Sequence, residues 1–133
     1  MDNNTETSLA LEYLERTNVN IFLTGKAGTG KTTFLRNLSN KISKRFVVLA
    51  PTGVAALQAG GVTIHSFFQL PFTIYIPNTK PNTRKFTKKK IDLIRSLDLI
   101  VIDEISMVRC DILDEVDYLL RHFRRGGLNK PFG

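Results

Sequence analysis

Apolar residues in this chain recur either at helical spacing or in short unbroken runs, and the two patterns alternate. Asn3 and Glu6 stand at the spacing of a capping box, and Leu9, Leu11, Tyr13 and Leu14 follow, so a helix is predicted from there to about Arg16. Asn18 to Thr24 then reads as a short strand stopped by Gly25. A glycine-rich turn leads from it into a helix that carries Phe34, Leu35, Leu38 and Ile42 on one face. Phe46 to Ala50 is an unbroken apolar strand ended by Pro51, and Ile91 to Leu97 predicts a short helix before a third, buried strand, Leu99 to Ile102. In the last helix Ile112, Leu113, Val116, Leu119, Leu120 and Phe123 form the inner face. Asp111 is its predicted cap, with Asp114 and Glu115 in its opening and Arg121, Arg124 and Arg125 closing it, in accord with the macrodipole. Strands apolar on both sides that alternate with helices predict an α/β fold, a parallel sheet with helices on both faces.

Composition narrows the class without naming it. The 133 residues suffice for one domain with a real core, and 42% hydrophobic against 23% charged is a globular balance that excludes a disordered tail. No apolar run approaches the roughly 18 residues of a membrane span, and the polar start is unlike a secretory leader, so an intracellular protein without a membrane partner is expected. Cys110 is the sole cysteine, which rules out an intrachain disulfide and a multi-cysteine zinc site; its expected state is a small buried hydrophobe. The net charge of +7 is local: six of the 19 bases and none of the 12 acids lie between Lys80 and Lys90. Pro71, Pro77 and Pro81 interrupt regular structure ahead of that run, so residues 71–90 read as a basic insertion. A concentrated positive charge is either a solvated loop or the footprint of a phosphate backbone.

Gly25-Lys-Ala-Gly-Thr-Gly-Lys-Thr32 satisfies the pattern of a phosphate-binding loop and lies between a predicted strand and a predicted helix, as that motif requires. Backbone N–H groups of Gly25, Lys26, Ala27, Gly28, Thr29, Gly30, Lys31, Thr32 and Thr33 can then surround phosphates at the positive end of a helix. Lys31 bridges the β- and γ-phosphates of ATP, and the Thr32 hydroxyl is placed for Mg²⁺. Asp103 and Glu104 follow an apolar strand, and ligands of such sheets lie beyond the carboxyl ends of strands. Asp103 is accordingly the second metal-side residue. Glu104 is free to orient or deprotonate the attacking water.

Four segments together carry a resemblance: Gly25 to Thr32, Ala50-Pro-Thr-Gly-Val-Ala-Ala56, Gly60-Gly-Val-Thr-Ile-His-Ser-Phe67 and Ile102-Asp-Glu-Ile-Ser-Met107. The combination resembles the Pif family of superfamily-one DNA helicases, relatives of RecD, nearly from end to end. The middle pair is the diagnostic part, since the first and last segments are shared with many ATPases. The resemblance implies a RecA-like P-loop NTPase fold and Mg-ATP hydrolysis that drives 5′-to-3′ movement on single-stranded DNA. Repair, recombination and telomere maintenance are the implied roles, in the cytoplasm of a bacterium or the nucleus or mitochondria of a eukaryote. It also implies that Pro51, Thr52, Gly53, Thr63, His65 and Ser66 line the single-strand track. Phe67, Phe68, Phe72 and Tyr75 are candidate stacking faces. Lys85, Lys88, Lys89 and Lys90 lie where such enzymes carry a small insertion that helps to split the duplex.

The match has two departures. The adenine-reading glutamine ahead of the first strand has no counterpart, the glutamines being Gln58 and Gln69. Leu128-Asn-Lys-Pro-Phe-Gly133 resembles the lead-in to the family's next strand, which in RecA-like sheets runs between the phosphate-loop strand and the Asp-Glu strand. The expectation is therefore a partial first motor domain over 1–133, truncated before that central strand and lacking the second RecA-like domain with its arginine finger. A stand-alone P-loop ATPase or nucleotide kinase, or a nucleotide- or DNA-binding remnant without turnover, are the alternatives.

Overall fold

Strands of unbroken apolar sequence need cover on both faces, and helices supply it from either side. The computed structural model describes residues 5–133, so the predicted cap at Asn3 lies outside the described residues. The helices are α1 (Thr5–Arg16), α2 (Lys31–Arg36), α3 (Gly53–Ala59), α4 (Ile64–Phe68), α5 (Lys88–Ser96) and α6 (Cys110–Phe123). Strands β1 (Phe46–Ala50), β2 (Val62–Thr63) and β3 (Leu99–Ile102) form a parallel sheet in the order β2-β1-β3. The register Phe46↔Leu99 to Leu49↔Ile102 sorts the side chains by face. Val47, Leu49, Ile100 and Ile102 meet Ile64, Phe68, Ile94, Val116 and Leu119 from α4, α5 and α6. Phe46, Leu99 and Val101 meet Ala10, Phe34, Leu38 and Ile42 on the other side. The expected helices on both faces are present, and each fully buried Leu, Ile or Phe among them contributes about 1.5–3 kcal/mol.

Several expectations are corrected. Asn18 to Thr24 is not a strand. A strand needs a ladder partner, but β1 is already paired on both edges, and among the described residues 18–24 joins neither outer edge. Val19 is left 57% and Phe22 75% exposed. A crevice of about 920 Å³ is lined on one side by Thr17 to Asn20 and on the other by Leu99, Ile100 and Ile102 of β3, which is half-buried rather than buried. The helix after the glycine turn stops at Arg36 and continues as a 3₁₀ turn, Leu38–Asn40. Ser39 and Asn40 are residues that favour local backbone bonds over helix, and the tighter turn still delivers Leu38 and Ile42 to the same cluster as Phe34.

The insertion is irregular only in its first part. Thr83–Lys85 form a 3₁₀ turn, and Lys88 to Lys90 open α5, whose N-cap Thr87 accepts a hydrogen bond from Lys90 N. At α6 the N-cap is Arg109, not Asp111, and Cys110 is exposed because it occupies the first turn rather than the inner face. Glu115 does not face solvent at the helix opening. It is 3% exposed, set between Ile112 and Leu119 on the buried face. Arg124 leaves the helix end and donates from Nη1 to the carbonyls of Ile94 (3.2 Å) and Leu97 (2.6 Å), fastening α5 to α6.

Gly61, just ahead of β2, lies so close to the sheet that an added Cβ would stand 2.1 Å from Val48 O and 2.7 Å from Val48 C. Backbone cannot yield there without moving β1. Gly61→Ala is expected to cost about 3 kcal/mol and to lower the melting temperature by roughly 10 °C. A calorimetric shift smaller than about 2 °C would show the contact to be soft.

Candidate functional site

The loop ahead of α2 leads into the helix without a strand before it. Gly30, at φ 89°, is the α2 N-cap in a conformation that side-chain-bearing residues rarely adopt, and Phe34 N donates to its carbonyl at 2.8 Å. The first N–H groups of α2 therefore point into the loop without helical acceptors. Lys31 Nζ folds back over the loop and donates to Gly25 O (2.6 Å) and Lys26 O (2.9 Å). Thr29 Oγ1 also donates to Lys26 O (2.8 Å), so the turn is held from two sides. Thr32 and Thr33 are exposed beside it.

Asp103 continues the sheet by one residue, its N–H donating to Leu49 O at 2.8 Å. Its Oδ1 accepts from Glu104 N at 3.0 Å. Glu104 sits at φ 53°, ψ 44°, a left-handed conformation that costs a non-glycine residue on the order of 1–3 kcal/mol. That reversal turns the exposed Glu104 side chain out beyond the strand end and starts the 3₁₀ turn Ile105–Met107, with Met107 N donating to Glu104 O at 2.9 Å. Among the described residues no group of three metal-ligating side chains exists. Thr32 supplies a hydroxyl and Asp103 a carboxylate, hard oxygen donors of the few-ligand kind that Mg²⁺ takes when phosphates and water complete its shell. The donor chemistry thus fits the expected metal.

The residues predicted to meet DNA divide into two groups. Pro51 and His65 line a small cavity of about 180 Å³ together with Phe72, Thr73, Met107 and Arg109. Within it the His65 ring stacks on Phe72 at 5.1 Å and 9°. Thr52 and Thr63 instead cap helices: Thr52 Oγ1 accepts from Ala55 N (3.2 Å) and Thr63 Oγ1 from Ser66 N (3.1 Å). Gly53 opens α3, and Ser66 is exposed on α4. Of the stacking candidates, Phe72 is 93% exposed, whereas Phe67 and Phe68 are core. Tyr75 is half-buried.

The lysines are likewise unequal. Lys85 Nζ donates to Gln69 O and lies 5.7 Å from the centre of the Phe86 ring. Lys90 Nζ stands 3.8 Å over Phe67, and burial holds its ammonium below the ordinary lysine pKa. Lys88 and Lys89 lie in the first turn of α5 and are exposed. Sequence reasoning missed Glu115, whose Oε2 has no hydrogen-bond partner and whose carboxyl burial pushes up, with Lys85 opposing. Its place between Ile112 and Leu119 at helical spacing was the available signal. Arg109 and Asp111 were also missed as a pair, bound at 2.9 Å and 2.6 Å.

A glycine loop that opens a helix, with an Asp-Glu pair past the end of a parallel strand, defines a P-loop nucleotide-binding domain. The PIF1-like helicase family model matches residues 8–133, and the chain belongs to that family. It is 38% identical over 124 residues to the ATP-dependent DNA helicase PIF1 of Candida albicans, covering 86% of this chain and 13% of that protein. With the Pif1 of Bdellovibrio bacteriovorus it shares 34% over 129 residues, 96% of this chain and 29% of the relative. A crystal structure of Bacteroides Pif1 bound to single-stranded DNA matches with a TM-score of 0.89 at 44% identity, over 100% of this chain and 30% of that one. The complex of a Bacteroides Pif1 with ADP-AlF4 gives 0.91 at the same identity and coverage. The RecA-like α/β fold follows, and the chain spans less than a third of the length of these proteins. No helix among the described residues is long and apolar enough to cross a membrane.

Proposed function

We propose that this chain is the ATP-binding and ATP-hydrolysing part of a 5′-to-3′ DNA helicase that acts on single-stranded DNA, with a second RecA-like domain supplied by the parent protein. Repair, recombination and telomere maintenance inside the cell are the proposed setting. The observation that carries it is the combination of a complete phosphate loop opening α2 with Ala50–Ala56 and Gly60–Phe67 at the neighbouring strands β1 and β2, and the His65–Phe72 stack just after β2.

The chemistry follows from the geometry. ATP phosphates offer charged acceptors that replace the Gly25 and Lys26 carbonyls as partners of Lys31. Helix α2 presents its N–H groups to the same oxygens. Thr32 and Asp103 are the residues that would hold Mg²⁺, which would supply neutralisation of phosphate charge. Glu104 receives the proton of the water that attacks the γ-phosphorus, and its αL backbone sets that carboxylate apart from Asp103.

The test is phosphate release by the full-length protein with and without oligothymidine, paired with binding at several salt concentrations. ATP turnover is expected to rise several-fold with the oligonucleotide. Lys88→Ser with Lys89→Ser should flatten the slope of log K against log salt by about 1.4, since each single-strand phosphate contact contributes about 0.7. Turnover indifferent to DNA would instead indicate a stand-alone ATPase, and no turnover a binding remnant.

A further inference from the structure

Asp111 carries more than a first-turn acid of α6 requires. Its side chain is 15% exposed, and both oxygens are used. Oδ1 accepts from Arg109 Nε (2.9 Å), while Oδ2 accepts from Arg109 Nη2 (2.6 Å) and from Tyr75 N (3.1 Å). The first two bonds grip the end of the segment that leaves Glu104. The third reaches 36 residues back in sequence to the proline-broken loop. Other bonds of that loop, Tyr75 Oη to Thr79 O and Thr79 Oγ1 to Ile76 O, stay inside it.

The two segments so joined lead to different chemistry. Upstream, Glu104 O accepts from Met107 N and Ile105 O from Val108 N, and the next residue, Arg109, accepts at its carbonyl from Leu113 N, so two hydrogen-bonded turns adjacent in the chain lead from Glu104 into α6. Downstream of the bond, Tyr75 lies three residues from Phe72, whose ring rests on His65. The cavity between them has Phe72 and Thr73 on one wall and Met107, Val108 and Arg109 on another. Asp111 thus bridges, through Arg109 and Tyr75 N, the 105–109 segment and the loop that carries the Phe72 side of that cavity.

We infer that Asp111, clamped by Arg109, is a positioning residue that couples the nucleotide-side turn after Glu104 to the DNA-side loop around Phe72. It touches neither nucleotide nor DNA. Its contribution is to the free energy by which one ligand alters affinity for the other, which is reciprocal and separable from either affinity alone. This inference rests on the function proposed above.

The experiment measures the affinity of the full-length protein for labelled oligothymidine with and without ADP and aluminium fluoride. Wild type is expected to show a nucleotide-dependent change of about fivefold or more. Asp111→Asn puts an amide donor against either Arg109 or Tyr75 N and should reduce that change to less than about twofold, with nucleotide-free DNA affinity and basal turnover within about twofold of wild type. Asp111→Ala, which removes all three bonds, should do the same, and thermal melts establish that each variant is folded. Retention of the full nucleotide-dependent change in both variants overturns the inference. So does an equal loss of DNA affinity in both nucleotide states, the mark of a merely structural role. Absence of any coupling or DNA-stimulated turnover in wild type sinks the helicase proposal itself, and is distinguished by failing before a mutation is made.

Discussion

Glu104→Gln is expected to lower ATP turnover by roughly 10²–10⁴-fold, the contribution of a positioned general base, while nucleotide affinity stays within about twofold. Gln is nearly isosteric with Glu, and the side chain is exposed, so the αL turn from Glu104 to Met107 is retained through its backbone bond. What is lost is the capacity to accept a proton. Asp103 keeps its own bond to the Glu104 N–H, so the metal-side carboxylate should be undisturbed. Steady-state phosphate release reads the first effect, and titration of a fluorescent ATP analogue the second. Wild-type turnover in the variant would move the base elsewhere, and a parallel loss of binding would make Glu104 a ligand rather than a base.

The parts of this fold that local sequence governs were legible. Phe46 to Ala50 and Leu99 to Ile102 are short apolar runs stopped by Pro51 and by Asp103, and both are strands; the phosphate loop depends on its own glycines and the helix that follows. What escaped depends on partners far along the chain. Asn18 to Thr24 has strand composition, but a ladder is a property of two segments and none is formed by it among the described residues. Asp111 looked like a cap because acids favour helix starts. Its actual partners are Arg109 and the N–H of Tyr75, the latter fixed by how the insertion folds back.

Charge was the least faithful guide to the site. Six bases from Lys80 to Lys90 read as one patch, yet the fold treats them individually. Lys85 crosses to Gln69 O, with the buried Glu115 close enough to feel its charge, and Lys90 lies on an aromatic ring with its stem packed away. Only an arrangement in three dimensions separates these from Lys88 and Lys89, which stand exposed at the first turn of α5.

Lys31→Ala is expected to reduce ATP affinity by about 10²–10⁴-fold. A hydrogen bond to a charged group is worth about 1.5–3 kcal/mol, and two such bonds to phosphate oxygens amount to about 3–6 kcal/mol, at 1.4 kcal/mol per tenfold. In the structure the ammonium is spent on the Gly25 and Lys26 carbonyls, neutral acceptors in an exposed loop. Losing those bonds costs little stability, because water can replace the ammonium at either carbonyl, so the melting temperature should stay within about 2 °C. That separation gives the experiment its force: calorimetric titration reports the phosphate contacts, and the melt reports the loop. Lys31→Arg sharpens it further. A guanidinium keeps the charge but spreads it over a rigid planar fork, so if point charge at that distance is what the phosphates require, the arginine variant should recover only part of the affinity. Wild-type affinity in Lys31→Ala would mean that the backbone N–H groups and α2 alone hold the nucleotide, and Lys31 would then be a staple for the loop rather than a phosphate ligand.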